Sequence, residues 1–250
     1  MQGASDKPLP KRLAPKPRWP THRHARSWIA RGYRLVAGID EVGRGCWAGP
    51  VTAAAVVLPD GLRLPGVHDS KLLSPVKRAD CARLIKRRAV AVGLGWASVA
   101  EIDAHGLTWA VRQSGLRALY DLRYPYHAVL LDGNHNYLRD QFSSQAIIKG
   151  DQLSLQIAAA SIIAKVARDR YMELQHRLYP EYDFAANKGY GTPRHAAAVR
   201  HALSPLHRRL FKPVQLAAGG FGELLEGYND SVFSEPVGPA DLSFNEAASN

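Results

Sequence analysis

Apolar residues recur along the middle of the chain in two alternating patterns. Short uninterrupted apolar runs, such as 51–58 and 128–131, are typical of strands buried inside a sheet. Between the runs, apolar residues recur at helical spacing, as they do from Leu107 onward. We predict strands over 35–39, 51–58, 89–99, 128–131 and 145–148, and helices over 74–88, from 107 onward, over 152–178 and over 193–203. Three early strands followed by alternating helices and strands predict an α/β fold, a mixed sheet with helices on its faces.

Two local signals sharpen this prediction. Ser74 is a typical N-cap and Pro75 fits the first turn of the helix that follows. The turn at Gly43-Arg44-Gly45 lies between the first two strands and predicts a hairpin.

Charge is spread unevenly over the 250 residues. The chain carries 33 Lys and Arg against 22 Asp and Glu, a formal net charge of +11. Residues 1–34 hold nine of the basic residues and one acid, whereas residues 213–250 hold six acids and no Lys or Arg. This surplus favours a polyanionic partner such as nucleic acid, although net charge alone identifies neither partner nor fold.

Composition divides the chain into three parts. We predict a basic, proline-rich, disordered arm over 1–33, a folded domain over 34–214, and an acidic, disordered tail rich in Gly, Pro and Ser over 215–250. The arm either holds nucleic acid loosely or only keeps the protein soluble. Gln215, Leu216 and Phe221 of the tail fit a peptide that docks on a replication partner, although so short a pattern arises by chance.

The rest of the composition excludes several classes of protein. Cys46 and Cys81 cannot build a disulfide framework or a cysteine-ligated zinc site. Apolar runs are shorter than the roughly 20 residues that a membrane helix needs, and the N-terminus lacks the apolar core of a secretory signal. We therefore expect a cytoplasmic monomer without a membrane segment.

Acidic residues stand where apolar strands end. Asp40 and Glu41 follow the first strand, Asp132 follows the run at 128–131, and Asp151 follows the strand at 145–148. Ligands of open α/β sheets sit at strand ends, and clustered carboxylates repel one another unless a cation intervenes. A hard ion, Mg²⁺ or Mn²⁺, satisfies such oxygens. A basic protein with this centre has the profile of a metal-dependent nuclease.

Each acid also has a structural interpretation. An Asp at a strand end commonly caps a turn, and Asp151 fits the N-cap of helix 152–178. Neighbours on a regular strand point to opposite faces, so Asp40 and Glu41 reach one site only if the strand bends or bulges, which Gly43 nearby would permit.

Other segments are candidates for binding. The glycines around Arg44 let the backbone approach a ligand such as a sugar hydroxyl, or form an ordinary hairpin turn. A polar stripe on the long helix either meets a phosphate backbone or is solvated; it comprises Ser154, Ser161, Lys165 and Arg168. Tyr190 lies in a glycine-flanked basic loop and either stacks on a sugar or base or packs on the protein itself. His195 lies at the site edge, caps the helix or faces solvent.

Five ordered blocks over residues 34–214 resemble ribonuclease HII, the type 2 ribonuclease H. The blocks are 38–45 (GIDEVGRG) with 48–51 (AGPV), 69–72 (DSKL) with Lys77-Arg78, 131–133 (LDG), 149–151 (KGD) with 159–169 (AASIIAKVARD), and 188–192 (KGYGT) with His195. Arg208, Phe211 and Pro213-Val214 resemble the end of that domain. Single short motifs are weak, but five in order are hard to obtain by chance.

The resemblance implies a ribonuclease H-like fold, a five-stranded mixed sheet flanked by helices, with a small helical C-terminal extension. It implies an endoribonuclease that hydrolyses RNA in RNA–DNA hybrids. It also implies incision on the 5′ side of a single ribonucleotide in duplex DNA, which leaves 3′-hydroxyl and 5′-phosphate ends.

The resemblance also implies residue roles. Asp40, Glu41, Asp132 and Asp151 would be catalytic, and the first three would bind Mn²⁺ or Mg²⁺. The backbone of Gly43, Arg44 and Gly45 would contact the ribose 2′-hydroxyl, Tyr190 would stack on the following deoxyribose, and Lys71, Ser161 and Lys165 would hold phosphates.

The chain departs from the family pattern after Ile102-Asp103, where Gly106-Leu107 replaces the usual Asn-Ile. We expect this to alter affinity and not chemistry. Two other functions stay open at this point. One is a non-catalytic RNA–DNA hybrid-binding protein of the same fold, and the other is a carboxylate nuclease that acts on plain DNA.

Overall fold

The computed structural model describes residues 19–68 and 70–219. Its sheet consists of β1 (Val36–Val42), β2 (Val51–Val57), β3 (Ala91–Ala97), β4 (Ala128–Asp132) and β5 (Ser144–Ile147). The strand order is β3-β2-β1-β4-β5. The first three strands pair antiparallel, and β1, β4 and β5 run parallel. The predicted mixed sheet and the hairpin between its first two strands are confirmed.

The helices of the described residues surround this sheet. They are α1 (Arg23–Ile29), α2 (Pro75–Arg88), α3 (Val99–His105), α4 (Leu107–Asp121), α5 (Gly150–Leu153), α6 (Leu155–Leu178), α7 (Phe184–Asn187), α8 (Pro193–His201) and α9 (Lys212–Ala217). The Ser74 hydroxyl accepts a hydrogen bond from the Lys77 amide, so the predicted cap of α2 is confirmed. None of the helices traced in residues 19–68 and 70–219 has the length and apolarity needed to cross a bilayer.

Two apolar layers sandwich the sheet. Ala54 and Val56 of β2 face α6, whereas Ala53 and Ala55 face α4, as the alternation of side chains along a strand requires. Gly38 of β1 permits the close approach of α6, because a β-carbon there would collide with the backbone of Gln156. The long helix therefore lies directly over the central strand.

The N-terminal segment corrects the predicted boundary of the folded domain. Residues 19–33 are not disordered, since α1 buries Ala25 and Trp28 against β1 and β4. The indole Nε1 of Trp28 donates a hydrogen bond to Gln145 Oε1 at 3.2 Å. Residues 1–18, the rest of the predicted arm, lie outside the described part of the chain.

The long helix starts later than predicted. Ser154 is extended, with φ −111° and ψ 124°, and separates α5 from α6. Thr21 occupies the break, because its amide donates to Leu153 O at 3.1 Å and its carbonyl accepts from the Leu155 amide at 3.0 Å. A continuous helix over 152–178 is therefore wrong at its first turn, for a tertiary reason.

Two further segments differ from the prediction. Gly106 joins α3 to α4 with φ +83° and ψ 163°, a backbone region that is essentially confined to glycine. At the C-terminal end, α9 continues through Ala217, so residues 215–217 are helical and not disordered. Residues 220–250, most of the predicted tail, lie outside the described residues.

Candidate active site

Three carboxylates meet where two parallel strands end. β1 and β4 pair side by side up to Ile39 and Leu131, and Asp132 is the next residue of β4. Asp40 and Glu41 are the next residues of β1. The charges of all three acids act on one another. The fold therefore brings these three acids to the same end of the sheet.

Asp40 and Glu41 nevertheless leave opposite faces of the sheet. The pairing of β1 with β2 runs without interruption from Ala37 to Val42, so the strand has no bulge there. Asp40 faces α6 and accepts a hydrogen bond from the Ser161 hydroxyl. Glu41 lies on the other side, where its Oε1 is 3.0 Å from Arg44 Nη1. Asp132, at the strand end, is close to both.

Burial makes Asp40 and Glu41 costly to ionise, and repulsion by neighbouring acids adds to the cost. Burial, followed by the charges of Glu41 and Asp132, raises the pKa of Asp40 well above its ordinary value. Burial also raises the pKa of Glu41, and the hydrogen bond from Arg44 offsets part of that rise. A nearby cation would remove this penalty, because opposite charge favours the ionised form.

Asp132 and Asp151 are held by the segment that follows β5. The Gly150 amide donates to Asp132 Oδ1 at 2.7 Å. Asp151 is buried in the first turn of α5, and its Oδ2 lies 4.0 Å from Lys71 Nζ. The N-cap of this helix is Lys149 in a left-handed conformation. The N-cap of the long helix α6 is Ser154, so the structural interpretation of Asp151 as that cap is wrong.

Tyr137 is a buried residue near the acids that sequence reasoning did not single out. Its hydroxyl is buried and has no hydrogen-bond partner in the described residues. Burial, together with the charges of Glu41, Asp40 and Asp132, raises its pKa well above the ordinary value. Its position shortly after the Asp132-Gly133 motif is the one sequence signal that could have indicated it.

The donor set suits a hard divalent ion in chemistry and in charge. Carboxylate oxygens are the ligands that Mg²⁺ and Mn²⁺ prefer. Within residues 19–68 and 70–219, however, no three acidic, histidine or cysteine side chains form a ready-made cluster for a metal. Glu41 is paired with Arg44, and Asp132 with the Gly150 amide.

The glycine turn and the aromatic loop lie against each other. Gly43 has φ +97° and packs on Arg168. A β-carbon at Gly45 would touch the Tyr190 ring at 3.9 Å, and Tyr190 is 44% exposed. The Trp47 amide donates to Gly189 O at 2.8 Å. The two segments that the resemblance assigns to sugar recognition are therefore neighbours in space.

The predicted phosphate contacts have different surroundings. The Lys71 side chain is 80% exposed beside Asp151. The Ser161 hydroxyl lies between Asp40 and Ser70, and Lys165 Nζ is 2.7 Å from Asp169.

Two polar residues for which solvent exposure was one interpretation are buried. Arg168 neither meets a phosphate nor faces solvent, because it is fully buried and donates to backbone carbonyls. His195 is also fully buried, so it does not face solvent; its amide is capped by the Thr192 hydroxyl.

A mixed five-stranded sheet with carboxylates gathered at the ends of its central strands defines the class, a nuclease with a ribonuclease H-like fold. The family model described as Ribonuclease HII matches residues 37–214. The chain belongs to the ribonuclease HII family.

Curated relatives agree with this assignment. The chain is 47% identical over 194 residues to ribonuclease HII of Geobacillus kaustophilus, a match that covers 77% of this chain and 74% of the relative. It is 48% identical over 192 residues to ribonuclease HII of Chloroflexus aggregans, which covers 74% of this chain and 90% of that one.

Solved structures share the fold. Ribonuclease H2 of Pyrococcus horikoshii aligns with a TM-score of 0.65 at 26% identity, over 74% of this chain and 97% of that one. The ribonuclease HII in a PCNA complex from Archaeoglobus fulgidus aligns with a TM-score of 0.62 at 25% identity, over 71% and 95%. Bst-RNase HIII in complex with Mn²⁺ aligns with a TM-score of 0.59 at 19% identity, over 74% and 69%, which shows the fold alone.

Family membership confirms the resemblance and the predicted fold. The protein is a ribonuclease H, an enzyme that hydrolyses RNA in RNA–DNA hybrids, from a family that depends on divalent metals. The non-catalytic binder and the plain-DNA nuclease, both left open by the sequence, are set aside.

Proposed function

We propose that this enzyme also incises duplex DNA on the 5′ side of a single embedded ribonucleotide, leaving 3′-hydroxyl and 5′-phosphate ends. The observation that carries the proposal is that the glycine turn, which directly follows the acidic end of β1, lies beside the exposed Tyr190 ring. One ribonucleotide flanked by DNA offers a single 2′-hydroxyl followed by a deoxyribose. A backbone turn and an exposed ring side by side suit these two adjoining sugars.

Asp40 and Glu41 leave opposite faces of the sheet, but Asp132 lies close to both. Together the three acids would hold Mg²⁺ or Mn²⁺. Such an ion lowers the pKa of water and stabilises a leaving oxygen. The chain's own part is to prepare the ligands: Ser161 orients Asp40, and the Gly150 amide orients Asp132. Asp151 completes the catalytic set beside Lys71.

Substrate would be held mainly by the backbone of Gly43, Arg44 and Gly45. An amide directed at a 2′-hydroxyl separates RNA from DNA. Tyr190 would stack on the deoxyribose that follows. Of the three predicted phosphate contacts, Lys71 would be the most direct, because its side chain is exposed beside the acids. Ser161 and Lys165 would hold phosphates less directly, since Ser161 also donates to Asp40 and Lys165 is paired with Asp169.

An incision assay tests this proposal. A labelled DNA duplex with one ribonucleotide is incubated with the enzyme in Mg²⁺, in Mn²⁺ and in excess chelator, and the products are sized and treated with phosphatase. We expect one cut, 5′ to the ribonucleotide, in either metal and none in chelator. An all-DNA duplex serves as control. Cleavage restricted to long RNA–DNA hybrids would refute the single-ribonucleotide proposal.

We also propose that the C-terminal segment binds a replication partner of the PCNA kind, which we call the clamp. The solved complex from Archaeoglobus fulgidus pairs a ribonuclease HII with PCNA. In this chain Leu216 of α9 is 69% exposed and lies near the C-terminal end of the described residues. Immobilised clamp should retain the full chain and release a variant that ends at residue 214. Equal retention of both would refute a docking role for the segment.

A further inference from the structure

Arg208 is a fully buried guanidinium whose hydrogen bonds go to backbone carbonyls of the glycine turn and of Gly49. Its Nη2 donates to Gly43 O at 2.6 Å and to Gly49 O at 2.8 Å, and its Nη1 donates to Arg44 O at 3.0 Å. Its Nε donates to Gly49 O at 3.1 Å. A buried charge without hydrogen-bond partners is costly. The carbonyl groups around the guanidinium are therefore held in fixed positions.

These bonds determine where the amides of the turn point. In a planar trans peptide the N–H points opposite to the preceding C=O, and the described residues contain no cis bond. Because Arg208 draws the carbonyls of Gly43 and Arg44 inward, the amides of Arg44 and Gly45 are directed away from it. Within residues 19–68 and 70–219, the hydrogen bonds of the turn use neither amide as donor.

His207, the residue before Arg208, is connected to the tyrosine loop through a chain of hydrogen bonds. The Ser204 amide donates to His207 Nδ1 at 2.9 Å, which makes that nitrogen an acceptor. The proton of the neutral ring is then on Nε2, which donates to His195 Nε2 at 2.9 Å. His195 Nδ1 in turn donates to Tyr190 O at 2.8 Å. Each ring nitrogen thus has one defined role.

The same segment joins the two recognition elements directly. The Arg208 amide donates to Trp47 O at 2.9 Å, and the Trp47 amide donates to Gly189 O at 2.8 Å. The turn, the segment at 207–208 and the tyrosine loop are therefore tied into one unit. We call His207 and Arg208 the clasp.

We propose that the clasp sets ribonucleotide specificity: Arg208 positions the Arg44 and Gly45 amides toward the 2′-hydroxyl, and His207 positions Tyr190 beside them. Both are positioning residues, since neither would touch the substrate. This inference rests on the proposed function of the turn and of Tyr190.

Binding without cleavage tests Arg208. The affinity of wild type, Arg208→Gln and Arg208→Lys is measured in Ca²⁺ for a single-ribonucleotide duplex and for its all-DNA counterpart. We expect Arg208→Gln to reduce the ribonucleotide preference by about tenfold, the worth of one hydrogen bond. Its affinity for the all-DNA duplex should change little, and the lysine variant should restore part of the preference. A folded Arg208→Gln variant with the wild-type preference would overturn the proposal.

Cleavage kinetics test His207. His207→Phe should lower kcat/KM on the single-ribonucleotide duplex more than on a long hybrid, because it releases Tyr190. An equal loss on both substrates would contradict the role. Arg117→Gln is the matched control, since Arg117 also donates to a carbonyl and to a carboxylate, Trp96 O and Glu101, but at the far edge of the sheet. Arg117→Gln should leave the ribonucleotide preference in binding unchanged. It should also leave unchanged the ratio of kcat/KM between the single-ribonucleotide duplex and the long hybrid.

A wild-type measurement keeps the proposal testable if the variants do not fold. In amide NMR spectra recorded with Ca²⁺, the ribonucleotide duplex should shift the Arg44 and Gly45 resonances beyond the shift caused by the all-DNA duplex. Identical shifts with both duplexes would refute the assigned direction of these amides. A wild type without any ribonucleotide preference would refute the proposed function. A wild type with that preference and variants that keep it in full would refute the role of the clasp alone.

Discussion

At the scale of single residues, the site keeps carboxylates where their charge is destabilising. Asp40 is buried beside two other acids, and its compensation within the described residues comes from the Ser161 hydroxyl and the Glu41 amide. Function explains such an arrangement better than folding does, because perturbed acids concentrate at active sites. The motif around Asp40 was readable from sequence, whereas Tyr137 was not, since a lone tyrosine carries no pattern.

Replacing Asp40 separates its contribution to catalysis from its effect on stability. Asp40→Asn should lower turnover roughly 10²–10³-fold, the usual cost of removing one catalytic electrostatic group. It should also raise the free energy of unfolding at pH 7, because it removes a buried repulsive charge. Turnover and urea denaturation measure the two effects. Asp60→Asn, which removes an exposed ion pair with Arg26, should leave turnover unchanged; a normal turnover in Asp40→Asn would refute the assignment.

Tyr190 tests recognition of the junction. Tyr190→Ala should lower kcat/KM on the single-ribonucleotide duplex by about tenfold or more, the value of one stacking contact, and should cost less on a long hybrid. Tyr190→Phe keeps the ring and should behave like wild type. Equal losses on both substrates in the alanine variant would argue against stacking on the deoxyribose.

At the scale of helices and strands, the sequence predicted the sheet because its interior strands are largely apolar, as in β2 and β4. It failed where a tertiary partner decides the outcome. The break at Ser154 exists because Thr21 fills it, and periodicity placed Arg168 on a polar face without revealing that a loop covers that face. The helix α1 was missed because Ala25 and Trp28 are its buried residues within a basic segment.

The Trp28→Ala variant tests how much the packing of α1 contributes to the free energy of unfolding. Trp28→Ala should lower the free energy of unfolding by about 3–5 kcal/mol, as expected for a large buried aromatic. Deletion of residues 1–18 should leave it nearly unchanged, since Trp28 and its contacts are retained. Both variants are compared by urea denaturation. A change below about 1 kcal/mol in Trp28→Ala would show that α1 is peripheral.

At the scale of the whole molecule, a chain of net charge +11 contains an acidic site, and its two terminal parts carry opposite charge. The domain between them follows the predicted motif order. Cytoplasmic location, the monomeric state and the contribution of the basic arm stay predictions. Global stability offers a further test, because buried histidines connect folding to pH.

We expect stability to fall as the pH drops below about 6.5, the ordinary value for histidine. Burial, followed by the charge of His195, lowers the pKa of His207 to about 3, so the unfolded chain binds a proton that the folded chain refuses. One such proton contributes a slope of about 1.4 kcal/mol per pH unit between these values. The raised pKa values of Asp40 and Glu41 act in the opposite direction.

Comparison of variants isolates the histidine. Unfolding free energies are measured from pH 4 to pH 7 for wild type, His207→Gln and the exposed control His105→Gln. The slope should decrease in His207→Gln and stay at the wild-type value in His105→Gln. A slope that is unchanged in His207→Gln would place the coupling elsewhere.

The central claim is that the acids at the ends of β1 and β4 gather divalent metal for hydrolysis next to a ribose. Calorimetric titration of Mn²⁺ into wild type and Asp40→Asn, paired with incision of the single-ribonucleotide duplex by the same samples, tests it most directly. We predict that wild type binds Mn²⁺ and cuts once, 5′ to the ribonucleotide, and that the variant loses both. Full Mn²⁺ binding and incision by a folded Asp40→Asn protein would contradict the claim.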